Sequence, residues 1–189
     1  MSLLAKIRGK ERTKHILPED LGHPELNLND FALVNMMMVP TDFSFMVREC
    51  EKNAVFSDEI IRPPQVEFGI SPDDLARMVK RPAIVIDNNR NIPDHRIHLV
   101  RRKAGKSLLA SQYHFISDRL FLVVIELGQL IPGPNDNLTC IINGYEKKIP
   151  QAELIRGGNN ILRDSAYNYL SLDTGIRIVA RYFSSGIYS

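Results

Sequence analysis

Three histidines, His95, His98 and His114, are the residues in this chain whose types come nearest to metal chemistry. His95 and His98 stand three apart in Asp94-His95-Arg96-Ile97-His98. On a helix that spacing puts two imidazoles on one face, but on a strand it sends them to opposite faces. Pro93 just before and the apolar alternation just after favour extended chain, so His95 and His98 read as structural or surface histidines before they read as ligands. Asp73, Asp74 and Asp87, with the cations from Arg101 to Lys106, contain the residue types of a metal-dependent nuclease. Each carboxylate already has a local use, however: Asp73 and Asp74 at a helix start, Asp87 in an asparagine-rich turn. Gly105-Lys106-Ser107 resembles the end of a phosphate loop, but the glycine required upstream falls on Val100. No G-x-G-x-x-G follows a strand, and no G-x-S-x-G elbow is present. The sequence therefore points to no cofactor, no metal and no catalytic residue.

The two cysteines, Cys50 and Cys140, are too few for a disulfide framework and too far apart for zinc pairs. They read as buried thiols of a protein in a reducing, cytoplasmic compartment. The chain of 189 residues is 44% apolar and 24% charged, the usage of a globular domain. No apolar run approaches the roughly 20 residues that span a bilayer, and Glu126 interrupts the longest. The basic N-terminus runs into Pro18, Glu19 and Asp20 with no apolar core behind it, so a secretory signal is not expected.

Charge is segregated. Lys6, Arg8, Lys10, Arg12 and Lys14 against Glu11 give the first fifteen residues +4, and Arg96, Arg101, Arg102, Lys103 and Lys106 give residues 95–106 +5. The net charge is +2, so the remainder carries −7. Two separated basic stretches on an otherwise acidic chain favour an oriented contact with something anionic, and these ten cations are the candidate anion-binding residues.

The elements that must position them follow from periodicity and punctuation. Residues 1–29 read as a basic, partly flexible arm, with Leu3, Leu4 and Ile7 on one edge of a short helix that Gly9 weakens and Pro18 ends. Residues 30–189 read as one globular domain. Phe31 to Val39 is a buried element of either type, and Phe43, Phe45 and Val47 alternate as in a strand. Ser71-Pro72-Asp73-Asp74 is a helix start: a capping serine, a proline at the first turn and two carboxylates at the positive end of the dipole. Lys80 and Arg81 suit its other end, and Pro82 stops it.

Ala83 to Ile86 reads as a strand, and so does the alternation of Ile97 and Leu99 in the stretch from His95. Arg119 to Leu127 is a buried run of either type. Asn143-Gly144 between two apolar runs predicts a hairpin, and Ile176 to Phe183 predicts a last strand. Strands do not alternate with helices in βαβ fashion. The expected class is α+β: a mostly antiparallel sheet, a few helices packed on one side and a basic arm in front.

A basic arm on a sheet-rich body without catalytic motifs is similar in layout, though in no motif, to viral matrix and coat proteins. The function expected is therefore non-enzymatic: a structural or assembly protein that forms homo-oligomers and meets an anionic membrane surface or nucleic acid through its basic clusters, peripheral to any membrane it touches. The alternatives are an adaptor, immunity or secretion accessory protein docking one protein partner, and a metal-dependent hydrolase with a scattered site.

Overall fold

The computed structural model describes residues 13–18, 39–104, 107–129, 159–174 and 177–188. Nine strands form one mixed sheet: β1 (Lys14–Ile16), β2 (Val55–Phe56), β3 (Ile84–Asp87), β4 (His95–Ala104), β5 (Ser107–Ile116), β6 (Arg119–Gln129), β7 (Asn159–Arg163), β8 (Asn168–Thr174) and β9 (Arg177–Ser184). Their spatial order is β1-β3-β4-β5-β6-β9-β8-β7-β2. β1 runs parallel to β3 and β2 parallel to β7; the six pairings between them are antiparallel. Among the described residues three helices accompany the sheet, α1 (Pro40–Asn53), α2 (Pro72–Met78) and the single turn α3 (Ser185–Tyr188). The coarse α+β class is therefore the observed one. Among the described residues no helix is long and apolar enough to cross a membrane.

A row of opposed residues crosses all nine strands, with bulges in the β5–β6 pairing at His114/Phe115 and in the β6–β9 pairing between Glu126 and Gly128. Ile16, Ile86, Ile97, His114, Leu122, Phe183, Tyr169, Arg163 and Phe56 form one row of directly opposed residues. The alternation of side chains along each strand then assigns faces. On one face Phe43, Met46 and Cys50 of α1 pack with Phe121, Leu122, Val124, Ile161, Tyr169, Val179 and Phe183. On the other, Ile61, Val66 and Leu75 of the segment leading through α2 pack with Val100, Tyr113, Phe115, Leu120, Leu170 and Tyr182. Both faces are thus covered, where helices on one side alone are expected from the sequence. A nine-stranded sheet with apolar residues on both faces has to be roofed twice.

The run through Phe43, Phe45 and Val47 is helix, not strand. Phe43 and Met46 are buried at i and i+3 and Cys50 follows at i+7, while Phe45 is 66% exposed. A short window of alternating residues fits both periods, and the sheet face that accepts Phe43 selects the helical one. The helix starts as local chemistry directs: Pro40 occupies its first turn, and the Asp42 carboxylate accepts the Val39 backbone N–H at 3.2 Å.

α2 starts where the sequence places it. Ser71 Oγ accepts the Asp74 backbone N–H at 3.2 Å and donates to Asp74 Oδ2 at 2.8 Å. The hydroxyl's hydrogen bond holds the Asp74 carboxyl below its ordinary value. The helix ends early, at Met78, with Val79 as its C-cap. Lys80 and Arg81 therefore lie beyond it. Leu75 is buried and Val79 packs on the core, but Met78 is 53% exposed. Ser71→Ala should cost about 1 kcal/mol in a urea titration, the usual loss of a capping oxygen; a neutral substitution would remove the cap from the account of α2.

Phe31 to Met38 and the Asn143-Gly144 hairpin lie outside the described residues. Arg119 to Leu127 is strand, the interior β6. The β5–β6 turn is Ser117-Asp118 with φ of 48° and 57°, the left-handed pair of a two-residue hairpin. Neither residue is glycine or asparagine, which is why the turn is not visible in the sequence.

Candidate functional site

The ten candidate cations divide by position. Lys6, Arg8, Lys10, Arg12 and Lys106 lie outside the described residues. Lys14 opens β1 and is exposed; its backbone N–H donates to Ala83 O at 2.9 Å, and Thr13 Oγ1 donates to Pro82 O at 2.8 Å. Those contacts tie the end of the N-terminal stretch to the chain just before β3. β3 in turn pairs with β4, Ile84 opposite Leu99. Continuing along β4 from Leu99 leads to Arg101, Arg102 and Lys103. Lys14, the last cation of the N-terminal stretch, therefore lies toward the same end of β1, β3 and β4 as the β4 positions of Arg101, Arg102 and Lys103.

Arg101 is half-buried, so it is not one of the fully solvated cations expected from the sequence. Its odd position on β4 places it with Ile97 and Leu99, which are fully buried. Arg96 is exposed at the opposite end of β4 and pairs with Asp118 at 3.4 Å, so it stands apart from the cluster. Lys80 and Arg81, both exposed and immediately before β3, join the corner in its place. Sequence reading assigns them to the end of α2; the signal that they belong here is their position next to Pro82-Ala83, the residues on which Thr13 and Lys14 dock.

The histidines resolve into two environments. His98 packs on Phe115 with ring centroids 5.0 Å apart, on the face of α2. His95 and His114 lie on the other face, stacked at 5.4 Å and enclosed by Phe43 and Phe121. Strand alternation separates His95 from His98, as the extended reading requires. Among the described residues no cluster of three histidine, cysteine or acidic side chains is arranged to hold a metal.

What His95 and His114 do form is a buried hydrogen-bond relay. Asn91 Nδ2 donates to Asn88 Oδ1 at 2.7 Å, which turns the Asn88 amide nitrogen toward His95 Nδ1 at 2.8 Å. His95 Nδ1 must then accept, so its proton sits on Nε2, 3.2 Å from His114 Nδ1. His114 in turn carries its proton on Nε2 and donates to Gln112 Oε1 at 3.1 Å. Every ring nitrogen is used, in one direction, with both rings neutral. Burial pulls His95 down to about 4 and His114 well below its ordinary value, the latter helped by its neighbour His95. His98 is also pulled down to about 4, by burial first and then by Arg96 and His15.

Asp74, Asp87 and Cys50 each have a local structural setting. Asp74 serves Ser71 and Arg77, and Asp87 Oδ1 accepts the Asn89 backbone N–H at 3.1 Å. Cys50 is 3% exposed, and burial pushes its thiol up to about 11, the opposite of an activated nucleophile. Cys140 lies outside the described residues. The molecule thus offers a basic corner on the surface and a closed polar relay inside. Compared with protein-family models, with curated proteins and with solved structures, the chain matches none.

Proposed function

We propose that this protein is a non-enzymatic structural or assembly component that turns its basic corner toward an anionic surface, lipid or nucleic acid, and associates with further copies of itself. The observation that carries the reading is the β1–β3–β4 register, which gathers Lys14, Lys80 and Arg81 beside the β4 positions of Arg102 and Lys103. Exposed cations stay hydrated in the free protein, and meeting phosphate groups at the surface pairs them without leaving a charge buried and unmet. Charge alone binds anions without reading sequence, so the expected contact is to phosphate groups as such. The proposal places the protein in a reducing compartment, where Cys50 remains a thiol, and peripheral to any membrane it meets.

Charge reversal tests the corner. Lys80→Glu with Arg81→Glu, and separately Arg102→Glu with Lys103→Glu, should each weaken binding to anionic liposomes or to RNA about tenfold or more at low salt. The difference should fade near roughly 0.5 M salt, where exposed charges are screened within a few ångströms. Binding indifferent to both the substitutions and the salt would sink the electrostatic reading and leave a protein-docking adaptor ahead of it.

A further inference from the structure

We propose that copies of this protein join head to tail by continuing the sheet, the β2 edge of one copy adding to the β1 edge of the next. This rests on the self-association part of the reading above and names the surfaces that carry it. Among the described residues β1 and β2 are the two ends of the sheet, each with one paired side. An end strand leaves a row of backbone donors and acceptors ready to pair with another chain.

Three properties of the edges fit them to each other. They lie at the same level, because His15 and Val55 terminate one continuous row through Val85, His98, Tyr113, Val123, Tyr182, Leu170 and Leu162. They also run the same way. Six antiparallel steps between two parallel ones give β1 and β2 the same sense within the sheet, so a neighbouring copy that continues the sheet and its twist would pair in parallel.

Charge is the third property, and it decides between like and unlike edges. Residues 49–59 carry Glu49, Glu51, Asp58 and Glu59 against Lys52 alone, around Val55 and Phe56, which are 53% and 46% exposed. The β1 edge has Lys14, Lys80 and Arg81 with no carboxylate between residues 13 and 17 or 79 and 86. Two β2 edges brought together would oppose carboxylates, and two β1 edges would oppose cations. Unlike edges attract, which makes the contact heterologous. Each strand step turns the sheet by roughly 20 to 25°, so the two ends of one copy differ by about half a turn. Such a contact extends into an open twisted chain of copies. The positions of Arg102 and Lys103 lie on β4, two strands inward from this joint.

The test uses the full chain and two edge variants, one with Val55→Lys and Phe56→Lys, the other with Lys14→Glu, Lys80→Glu and Arg81→Glu. By light scattering, the mass of the unaltered protein should climb with concentration without a ceiling. Each variant alone should stay monomeric, and an equimolar mixture should stop at a dimer, because one intact edge of each kind remains. An unaltered protein that stays monomeric, a variant that dimerises with itself, or folded variants that ignore each other would overturn the proposal. Should either variant fail to fold, a His15→Cys copy mixed with a Val55→Cys copy decides the matter. The edges of one copy are about 38 Å apart, eight strand spacings of roughly 4.8 Å, so a 15–55 disulfide mapped by mass spectrometry can form only between copies. Its absence under oxidation overturns the proposal equally. The Val55→Lys, Phe56→Lys variant keeps the basic corner, so its binding to anionic liposomes reports on the anion contact independently of assembly.

Discussion

Acidification from neutral pH to about 4.5 should destabilise the fold by roughly 2 to 3 kcal/mol for each of His95 and His98, with His114 adding to the loss. The sign follows from the direction of the shifts. All three imidazoles are held below their unfolded value of 6.5, His95 and His98 down to about 4. The unfolded chain therefore binds protons that the folded chain refuses. The stabilisation is complete above pH 6.5 and drains away as pH falls toward 4. The relay gives this a structural reason. A second proton on His95 would have to sit on Nδ1, facing the Asn88 amide nitrogen 2.8 Å away, and one on His114 Nδ1 would face His95 Nε2. Urea titrations at stepped pH measure the effect. His95→Asn should be less stable than the parent at neutral pH yet lose less between pH 6.5 and 4.5, by about one proton's worth of slope. A parent whose stability is flat across that window would mean the histidines charge freely and the relay is not closed.

Replacing Asp164 by alanine should cost at least about 3 kcal/mol, the largest loss expected from any single polar side chain here. The residue is 1% exposed, and its carboxylate accepts the backbone N–H groups of Ile61 at 2.8 Å, Ala166 at 2.8 Å and Asn168 at 2.9 Å, and the Asn168 amide at 3.1 Å. Two of these close the β7–β8 turn, where Tyr167 takes a φ of 59°. The Ile61 bond fastens that turn to the segment carrying β2, as does the Ser57 N–H to Arg163 O at 2.8 Å. Truncation leaves the buried donors unmet while the chain around them has no slack to reach water. A melting-temperature fall of roughly 6 to 12 °C corresponds to that loss in a domain of this size. Asp164→Asn should restore less than half of it, because one acceptor oxygen becomes a donor facing other donors. A change under about 1 kcal/mol for the alanine variant would show that solvent replaces the carboxylate and that Asp164 does not anchor β2.

Asp164 also marks a boundary in what sequence can reveal. Its principal partner outside its own turn, Ile61, is 103 residues away. No pattern around Leu162-Arg163-Asp164-Ser165 distinguishes an anchor from an ordinary turn aspartate. The relay is hidden for the same reason. His95, His114, Asn88 and Gln112 are unremarkable one by one, and only the β4–β5 pairing and the loop after β3 bring them within hydrogen-bond reach.

Where interactions are local, the sequence by itself determined the outcome. Ser71 caps α2 because the partner of its hydroxyl is three residues on. Pro93 and the alternation of Ile97 with Leu99 made β4 a strand and sent His95 and His98 to opposite faces. The charge segregation is equally a property of composition, legible before any folding. Tertiary structure alone decided the rest. Phe43 to Val47 became helix because a sheet face accepts Phe43, Met46 and Cys50 together, which a period of two would have split. Lys14 to Ile16 became an edge strand because β3 offers it a backbone partner, although three residues have no strand signal of their own. The basic corner exists for that reason. Lys14 is held at the same end of the sheet as the last positions of β4 by backbone hydrogen bonds and by the burial of Ile84, Ile86, Ile97 and Leu99, and no rule of local sequence records that pairing.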